Sequence, residues 1–299
     1  MIDNDQLEGP ALPVVRRARA YRLYLHDGRR VVDLWQQGGN AVLGHTPLGV
    51  LLSLKNTASR GLSASFPSIW ERRFATALRR LHPAFPGVRF YPDKIAAQAA
   101  LDHSGFGYHR LAALKDPAFG DYAESREVIL WRPWIGAGTN KPDSVDSVPK
   151  AHIPESGESC YDGAAVLVPV IPLPFPGLPV AFLIKPALEE SFPVSSTCSP
   201  LILAAATRAL DDLLAELPKR DLSRFRRVDA VLAGGKVCWR RKVDYLGWLG
   251  DVSLYKLTWF RFMEKGFLLP PSPDSPLILP GELSEGEESA LAALLAACV

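Results

Sequence analysis

The sequence has few cysteines, and their spacing matches no metal-binding or redox motif. Cys160, Cys198, Cys238 and Cys298 are widely separated and form no C-x-x-C pair. This pattern argues against a zinc site or a disulfide framework and fits a reducing compartment. None of the six histidines belongs to an H-x-x-x-H or H-E-x-x-H pattern, so we predict no metal site.

The sequence also lacks a strong charge of either sign. With 34 Lys and Arg against 32 Asp and Glu, the formal net charge is +2, and we therefore predict no nucleic-acid partner. Arginine pairs such as Arg72-Arg73 and Arg79-Arg80 alternate with apolar residues and acids. We interpret these pairs as solvated faces rather than as a binding patch.

No hydrophobic run is long enough to predict a membrane span. The longest candidate, residues 164–184, contains five prolines, which is not the pattern of a spanning helix. The first residues, from Met1 to Asp5, are acidic and lack the basic-then-apolar pattern of a signal peptide. These absences predict a cytoplasmic protein without a membrane partner.

Local patterns predict alternating strands and helices, as in an α/β protein. Two strand-like runs, 21–25 and 31–35, flank the hairpin signal Asp27-Gly28. Thr46 is expected to cap a helix over 47–57. Ser68 and Glu71 form a capping box, and the helix that follows has one apolar face: Trp70, Phe74, Ala77, Leu78 and Leu81.

The rest of the chain shows the same alternation, with one unpatterned stretch. Strands are predicted over 88–91, 128–131, 164–170 and 182–184, and helices over 93–101, 200–217, 254–265 and from Ser284 onward. Gly234-Gly235 predicts a second hairpin between 228–232 and 236–239. Residues 133–162 show no periodicity, and the sequence leaves the role of this long loop open.

Four segments, in order along the chain, carry a family resemblance. The first reads Y-L-H-D-G-R-R-V-V-D-L at 24–34 and L-G-H-T-P at 43–47, and the second is V-R-F at 88–90. The third combines G-L-P-V at 177–180 with T-C-S-P-L at 197–201, and the fourth is G-F-L-L-P-P-S at 266–272. Together they resemble the class III, fold type I aminotransferases, which use pyridoxal phosphate (PLP), in particular the glutamate-1-semialdehyde aminomutases.

The resemblance implies a shortened fold type I structure. It would have a reduced α/β/α core at 46–204 and a small α+β domain formed by 1–45 and 205–299. Class III enzymes build each active site from two subunits. The resemblance therefore also implies a homodimer, or a pairing with a related aminotransferase-like subunit.

The lysine that the family uses to form a Schiff base with PLP is missing. In the family it precedes the motif that matches G-L-P-V, and matching that motif puts Pro172 in its place. Proline has no amine, so the family's chemistry cannot start from this position.

Other cofactor contacts of the family are altered as well. The family's S-G-T-E-A segment, whose N–H groups hold the phosphate, is replaced by P-D-K-I-A at 92–96. There Pro92 removes a donor and Asp93 adds a repelling carboxylate. The family's D-E-x-x-T-G motif, which supplies the partner of the pyridinium nitrogen, has no counterpart. Thr197 matches a phosphate-contacting threonine of the family, although it also fits naturally before a helix start.

Three further side chains are candidates for a remaining site. Lys185 ends an apolar run and could replace the missing amine, but its position beyond G-L-P-V favours a structural lysine. Trp35 and Gln37 match a family segment near the substrate pocket and are candidates to line a remaining cleft. A turn stabilised by side-chain amides accounts for them equally well. His45 fits a turn better than a catalytic base.

These departures favour a non-catalytic aminotransferase homologue that needs no cofactor and acts as a binding, regulatory or partner-subunit protein. Two alternatives stay open. One is an active PLP-dependent aminotransferase with a relocated lysine such as Lys185. The other is a different enzyme that reuses the cleft without PLP.

Overall fold

The computed structural model describes residues 10–114, 127–135, 163–216, 219, 224–234 and 238–297. The chain divides into two compact units. One combines Met1–Thr46 with Asp221–Val299, and the other is Pro47–Arg220. We call them the split unit and the central unit. The sequence predicts that the large domain ends at residue 204. In the structure, residue 204 lies inside the helix Pro200–Glu216, and this whole helix belongs to the central unit.

The strands are β1 (Val15–Arg19), β2 (Arg22–Leu25), β3 (Arg30–Asp33), β4 (Gly87–Tyr91), β5 (Val128–Trp131), β6 (Val166–Pro169), β7 (Val180–Ile184), β8 (Trp239–Lys242), β9 (Tyr245–Trp248), β10 (Phe267–Leu268) and β11 (Leu277–Ile278). The helices are α1 (Leu48–Ala58), α2 (Ile69–Leu81), α3 (Lys94–His103), α4 (Pro200–Glu216), α5 (Arg226–Ala233), α6 (Val252–Glu264) and α7 (Glu285–Ala296).

The central unit is built on a four-stranded sheet in the order β4-β7-β6-β5. Strands β5 and β6 are parallel, while β7 is antiparallel to both of its neighbours. The strands are apolar on both faces, as in a sheet that is covered on both sides. All four strands were predicted from the sequence.

Helices cover both faces of this sheet. Successive residues of a strand point to opposite faces, and two successive residues of β4 pack against different helices. Phe90 of β4 makes an edge-on contact with Phe74 of α2 at 5.6 Å between ring centroids. The next residue, Tyr91, contacts Phe182 and belongs to the core cluster that includes Ala97 and other residues of α3. The α/β/α arrangement of the central unit is therefore confirmed.

The apolar face predicted for α2 is confirmed. Phe74, Ala77, Leu78 and Leu81 are buried, whereas Trp70, which was predicted on the same face, is only half-buried. Ser68 is the N-cap as predicted, but its side chain accepts a hydrogen bond from the N–H of Trp70 at 3.3 Å, so the predicted capping box with Glu71 is wrong. The start of α1 differs from the prediction by one residue. Pro47, not Thr46, is the N-cap, and no side chain caps this helix.

The described residues of the split unit form a four-stranded sheet, a three-stranded sheet and three α-helices. The first sheet has the order β1-β2-β3-β10, and the second has the order β11-β9-β8. The predicted hairpin between β2 and β3 is confirmed. Its turn residue Gly28 has φ +86°, which explains the glycine after Asp27. The capping box of Ser284 and Glu287 at the start of α7 is also present.

The second predicted hairpin is wrong. Residues 226–233 form helix α5, and the hairpin is made instead by β8 and β9. Val228 is buried, and Val231 and Leu232 pack against the same core. This i, i+3, i+4 spacing is helical, and the sequence interpretation gave too much weight to Gly234-Gly235.

Candidate functional site

The carboxyl ends of three strands meet at one edge of the central sheet. Trp131 of β5 is paired with Pro169 of β6, and Tyr91 of β4 is paired with Val180, where β7 begins. The loops that follow β4, β5 and β6 therefore lie along the same edge. In α/β sheets this is the edge where ligands bind, so it is the candidate site.

Pro172 lies at this edge, in the loop that follows β6. The loop starts with a hydrogen bond from the Val170 N–H to the Trp131 carbonyl at 2.8 Å and then turns tightly, with the Leu173 N–H donating to the Ile171 carbonyl at 2.7 Å. Ile171, Pro172 and Leu173 are all buried. The position that the family resemblance assigns to the lysine is therefore occupied by buried apolar side chains.

A carboxylate of the chain itself occupies the N-terminus of α3 at the same edge. Asp93 is the N-cap, and its Oδ1 accepts a hydrogen bond from the N–H of Ala96 at 2.8 Å. The free N–H groups and the dipole of a helix N-terminus attract anions. Here Asp93 already uses one of these donors and adds a negative charge that would repel a phosphate.

Lys185 lies at the opposite edge of the sheet. Ile184, which precedes it, is paired with Val166, where β6 begins, whereas Pro172 follows the end of β6. The two positions are separated by the length of β7, about 16 Å for five residues. The Lys185 Nζ is 5.8 Å from the centroid of the Phe85 ring, a contact of the cation–π type.

Thr197 is exposed and lies on a segment that runs beside β4. The Ser195 hydroxyl accepts a hydrogen bond from the Phe90 N–H at 3.1 Å, and the Ser196 N–H donates to the Phe90 carbonyl at 3.0 Å. Because Phe90 is the penultimate residue of β4, these contacts bring Thr197 near the carboxyl edge. The structure therefore groups Thr197 with Pro172 and Asp93 and places Lys185 apart from them.

Two further buried side chains near this edge were missed by sequence analysis. The Trp131 indole N–H donates to the Ile135 carbonyl at 2.7 Å, and the His82 ring lies edge-on to Trp131 at 4.9 Å between centroids. Burial lowers the pKa of His82 to about 4, so its imidazole is neutral near pH 7. No local sequence signal links these residues, because His82 ends α2 and Trp131 ends β5.

In the split unit, Asp33 organises the polar loop that contains Trp35 and Gln37. Its Oδ1 accepts hydrogen bonds from the N–H groups of Trp35 at 3.0 Å and Gln36 at 2.8 Å. Its Oδ2 lies 2.7 Å from Nε2 of His45. His45 therefore stabilises this loop, in agreement with the turn interpretation.

The same loop contains four consecutive residues with positive φ. Gln36 and Gln37 have φ values of 46° and 49°, and Gly38 and Gly39 follow with 68° and 114°. The buried Gln36 side chain donates to the Ile278 carbonyl at 3.0 Å. Trp35 packs against the core of the split unit, and Gln37 is exposed. Sequence analysis selected Gln37 and missed Gln36, although the G-G pair signalled an unusual backbone.

The part of the chain that the structure describes contains neither a cluster of metal ligands nor a membrane-spanning helix. No three His, Cys, Asp or Glu side chains are close enough together to hold a metal ion. None of the helices described is long and apolar enough to cross a membrane.

Sequence comparisons relate the chain to proteins of two kinds. It is 26% identical over 287 residues to an uncharacterised protein of Treponema pallidum, and the match covers 89% of this chain and 88% of that protein. It is 35% identical over 143 residues to glutamate-1-semialdehyde 2,1-aminomutase of Sorangium cellulosum, covering 48% of this chain and 31% of the aminomutase. No protein-family model matches the chain.

Solved structures of aminotransferases match nearly the whole chain. N-acetylornithine aminotransferase from Stenotrophomonas maltophilia has a TM-score of 0.64 at 17% identity and covers 96% of this chain and 95% of its own. Ornithine δ-aminotransferase of Plasmodium falciparum has a TM-score of 0.62 at 14% identity, with coverage of 98% and 94%. The resemblance drawn from four sequence segments is thus confirmed at the level of the fold. The protein has the fold of the PLP-dependent class III aminotransferases.

Proposed function

We propose that this protein is a non-catalytic relative of the class III aminotransferases, which acts as a binding, regulatory or partner-subunit protein without PLP. The observation that carries the proposal is the pairing of two substitutions at one edge. Pro172 is buried where the resemblance assigns the lysine, and Asp93 occupies the helix terminus where it assigns the phosphate.

The described residues do not fit PLP at this edge. The cofactor needs an amine, donors for its phosphate and an acidic partner for its ring nitrogen. The loop after β6 offers buried Ile171, Pro172 and Leu173. The loop after β4 offers Pro92, which has no N–H, and Asp93, whose charge has the same sign as the phosphate.

The geometry gives little support to an enzyme that uses Lys185. This lysine follows β7 at the edge where β6 begins, and its ammonium group lies against Phe85. An amine there would require a cofactor bound at the edge opposite to the ends of β4, β5 and β6. Such a site would share no loop with Pro172 or Asp93.

A titration with PLP tests the proposal. We expect no saturable imine absorbance when micromolar PLP is added to the wild-type protein. The variant Pro172→Lys should behave in the same way, because Asp93 still occupies the helix terminus. Saturable imine formation by the wild-type protein would contradict the proposal. An imine formed by Pro172→Lys alone at stoichiometric PLP would show instead that Asp93 does not prevent binding of the phosphate.

The loop of Trp35 and Gln37 supports a second proposal, a retained ligand cleft without PLP. Gln36 and Gln37 both have positive φ, which costs free energy in a residue other than glycine and is enriched at functional sites. A Gln37→Gly variant relieves the unfavourable backbone conformation and removes the side chain. We expect higher stability and weaker binding of any ligand found by small-molecule screening. Unchanged ligand affinity would remove Gln37 from the cleft.

The partner-subunit role includes a homodimer or a pairing with a related chain. Leu51 on α1, Phe66 and Ile69 are large apolar side chains of the central unit that remain exposed, and the proposal assigns them to the interface with the partner. Trp131 does not belong to such a surface, because it is fully buried. Light scattering at micromolar concentration should give the mass of a dimer, and Leu51→Lys should shift it toward the monomer.

A further inference from the structure

A groove lined by arginines crosses the helical face of the central unit. It lies between α1, α2 and α4 and has a volume of about 1000 Å³, at the upper end of the range for small-molecule sites. None of its lining residues belongs to the carboxyl edge described above or to the Trp35–Gln37 loop. The groove is therefore independent of the proposed loss of PLP binding.

Five arginines from three parts of the chain line this groove: Arg60, Arg72, Arg73, Arg80 and Arg208. The sequence analysis treated the arginine pairs of α2 as solvated faces. Arg72, Arg73 and Arg80 are indeed exposed, and they line the same groove as Arg60, which follows α1, and Arg208 of α4. Asp211 is the only carboxylate among the described residues that line the groove.

Carboxylates neutralise only part of this positive charge. Arg80 pairs with Asp211, and Arg208 Nε lies 2.7 Å from Oδ1 of Asp212. Within the described part of the chain, no carboxylate lies within 4 Å of the guanidinium of Arg60, Arg72 or Arg73. Guanidinium groups bind phosphate through two parallel hydrogen bonds, so three unneutralised arginines favour a ligand with more than one phosphate.

The groove also offers an aromatic and apolar surface. Trp70 is half-buried in its wall, with the Arg73 guanidinium 4.8 Å from the ring centroid. Leu48 and Leu52 of α1 contribute exposed apolar side chains. Indole rings stack on aromatic bases without sequence preference. Phosphate-binding and stacking groups therefore lie in the same groove.

Gly49 leaves the space that the Arg208 guanidinium occupies. A Cβ atom at this position would lie 2.6 Å from both Nε and Nη2 of Arg208. Because the atoms in the way are at the end of a flexible side chain, an alanine here would displace the guanidinium at little cost to the fold. Gly49→Ala thus alters one wall of the groove without changing its charge.

We propose that this groove binds a small molecule that combines a polyphosphate group with an aromatic ring, the chemistry of a nucleoside triphosphate. The phosphates contact Arg60 and Arg72, and the ring contacts Trp70 and the leucines of α1. Binding of this ligand gives the protein a ligand-free and a ligand-bound form, and this difference requires no catalysis.

Calorimetric titrations with three probes test the two parts of the ligand. We expect ATP to bind saturably at one site per chain, tripolyphosphate to bind more weakly, and adenosine to give no measurable heat. Equal affinities for ATP and tripolyphosphate would contradict the aromatic contact. The absence of saturable ATP binding at physiological salt would overturn the proposal, as would tighter binding of a polyglutamate peptide than of ATP.

A matched pair of variants separates specific contacts from general attraction. Arg60→Gln with Arg72→Gln should raise the ATP Kd about tenfold or more. The control, Arg226→Gln with Arg240→Gln, removes the same charge from exposed positions of the split unit and should change it less than about twofold. Gly49→Ala should weaken ATP binding several-fold with an unchanged melting temperature. Equal effects of both double variants would show nonspecific charge attraction and contradict the site.

Discussion

The Asp93 carboxylate accepts a hydrogen bond from the Ala96 N–H at 2.8 Å, so that α3 is capped by its own chain. This contact stabilises the helix and at the same time occupies a donor that an anionic ligand would require. One residue thus links the preservation of the fold with the loss of a phosphate site.

Replacing this cap should be measurable as a change in stability. We expect Asp93→Ala to lower the free energy of unfolding by about 1 kcal/mol, whereas Asp93→Ser, which can still cap the helix, should cost only a few tenths of a kcal/mol. Chemical denaturation monitored by circular dichroism measures both. Equal losses for the two variants would show that capping is not what Asp93 contributes.

The core of α4 gives a second prediction. Leu213 is fully buried, and Leu213→Asp would leave an unpaired charge among apolar side chains. We expect a loss of several kcal/mol. Leu257→Asp, on the exposed face of α6, is the matched control and should stay within about 0.5 kcal/mol of wild type. A Leu213→Asp variant that melts like the wild type would refute the burial of this helix face.

His82 should make stability depend on pH. Burial lowers the pKa of His82 from 6.5 to about 4, so between these values the unfolded chain binds a proton that the folded chain does not. Folding stability is therefore complete above pH 6.5 and falls as the pH drops toward 4, by up to about 3 kcal/mol. His82→Gln should flatten the pH dependence in this window, whereas His26→Gln, at an exposed position, should not.

Glu287 should also make stability depend on pH, but in a lower pH range than His82. Burial raises the pKa of Glu287, but hydrogen bonds from Arg22 and Ser284 outweigh burial and lower the pKa to about 2. The Arg22 Nη2 lies 2.7 Å from Oε2. This contribution is present above pH 4.5 and lost as the pH falls toward 2. Glu287→Gln should be less stable than wild type by about 1 kcal/mol at pH 6, and the difference should vanish near pH 2.

Sequence patterns predicted the elements whose signals are local. The hairpin at Asp27-Gly28, the apolar face of α2 and the start of α7 at Ser284 each depend on residues within a few positions of one another. Helix α5 was missed because its short apolar run, Val228 to Leu232, fits either period, and a glycine pair favoured the wrong one.

Features that join distant segments could not be predicted in this way. The order β4-β7-β6-β5 brings the loops of Asp93 and Pro172 to the same edge of the sheet, although the two residues lie far apart in the chain. The arginine groove likewise combines Arg60, Arg72 and Arg208 from three segments. Likewise, the positive φ of Gln36 depends on the buried contact of its side chain with Ile278.

Borohydride reduction after incubation with PLP tests the central claim most directly. Reduction fixes any imine onto the lysine that formed it, and peptide mass spectrometry then identifies that lysine. The account predicts that, at stoichiometric PLP, no single lysine is labelled above the level found in protein unfolded before incubation. Stoichiometric labelling of one lysine in the folded protein would contradict it, and labelling at Lys185 would establish the relocated-lysine enzyme instead.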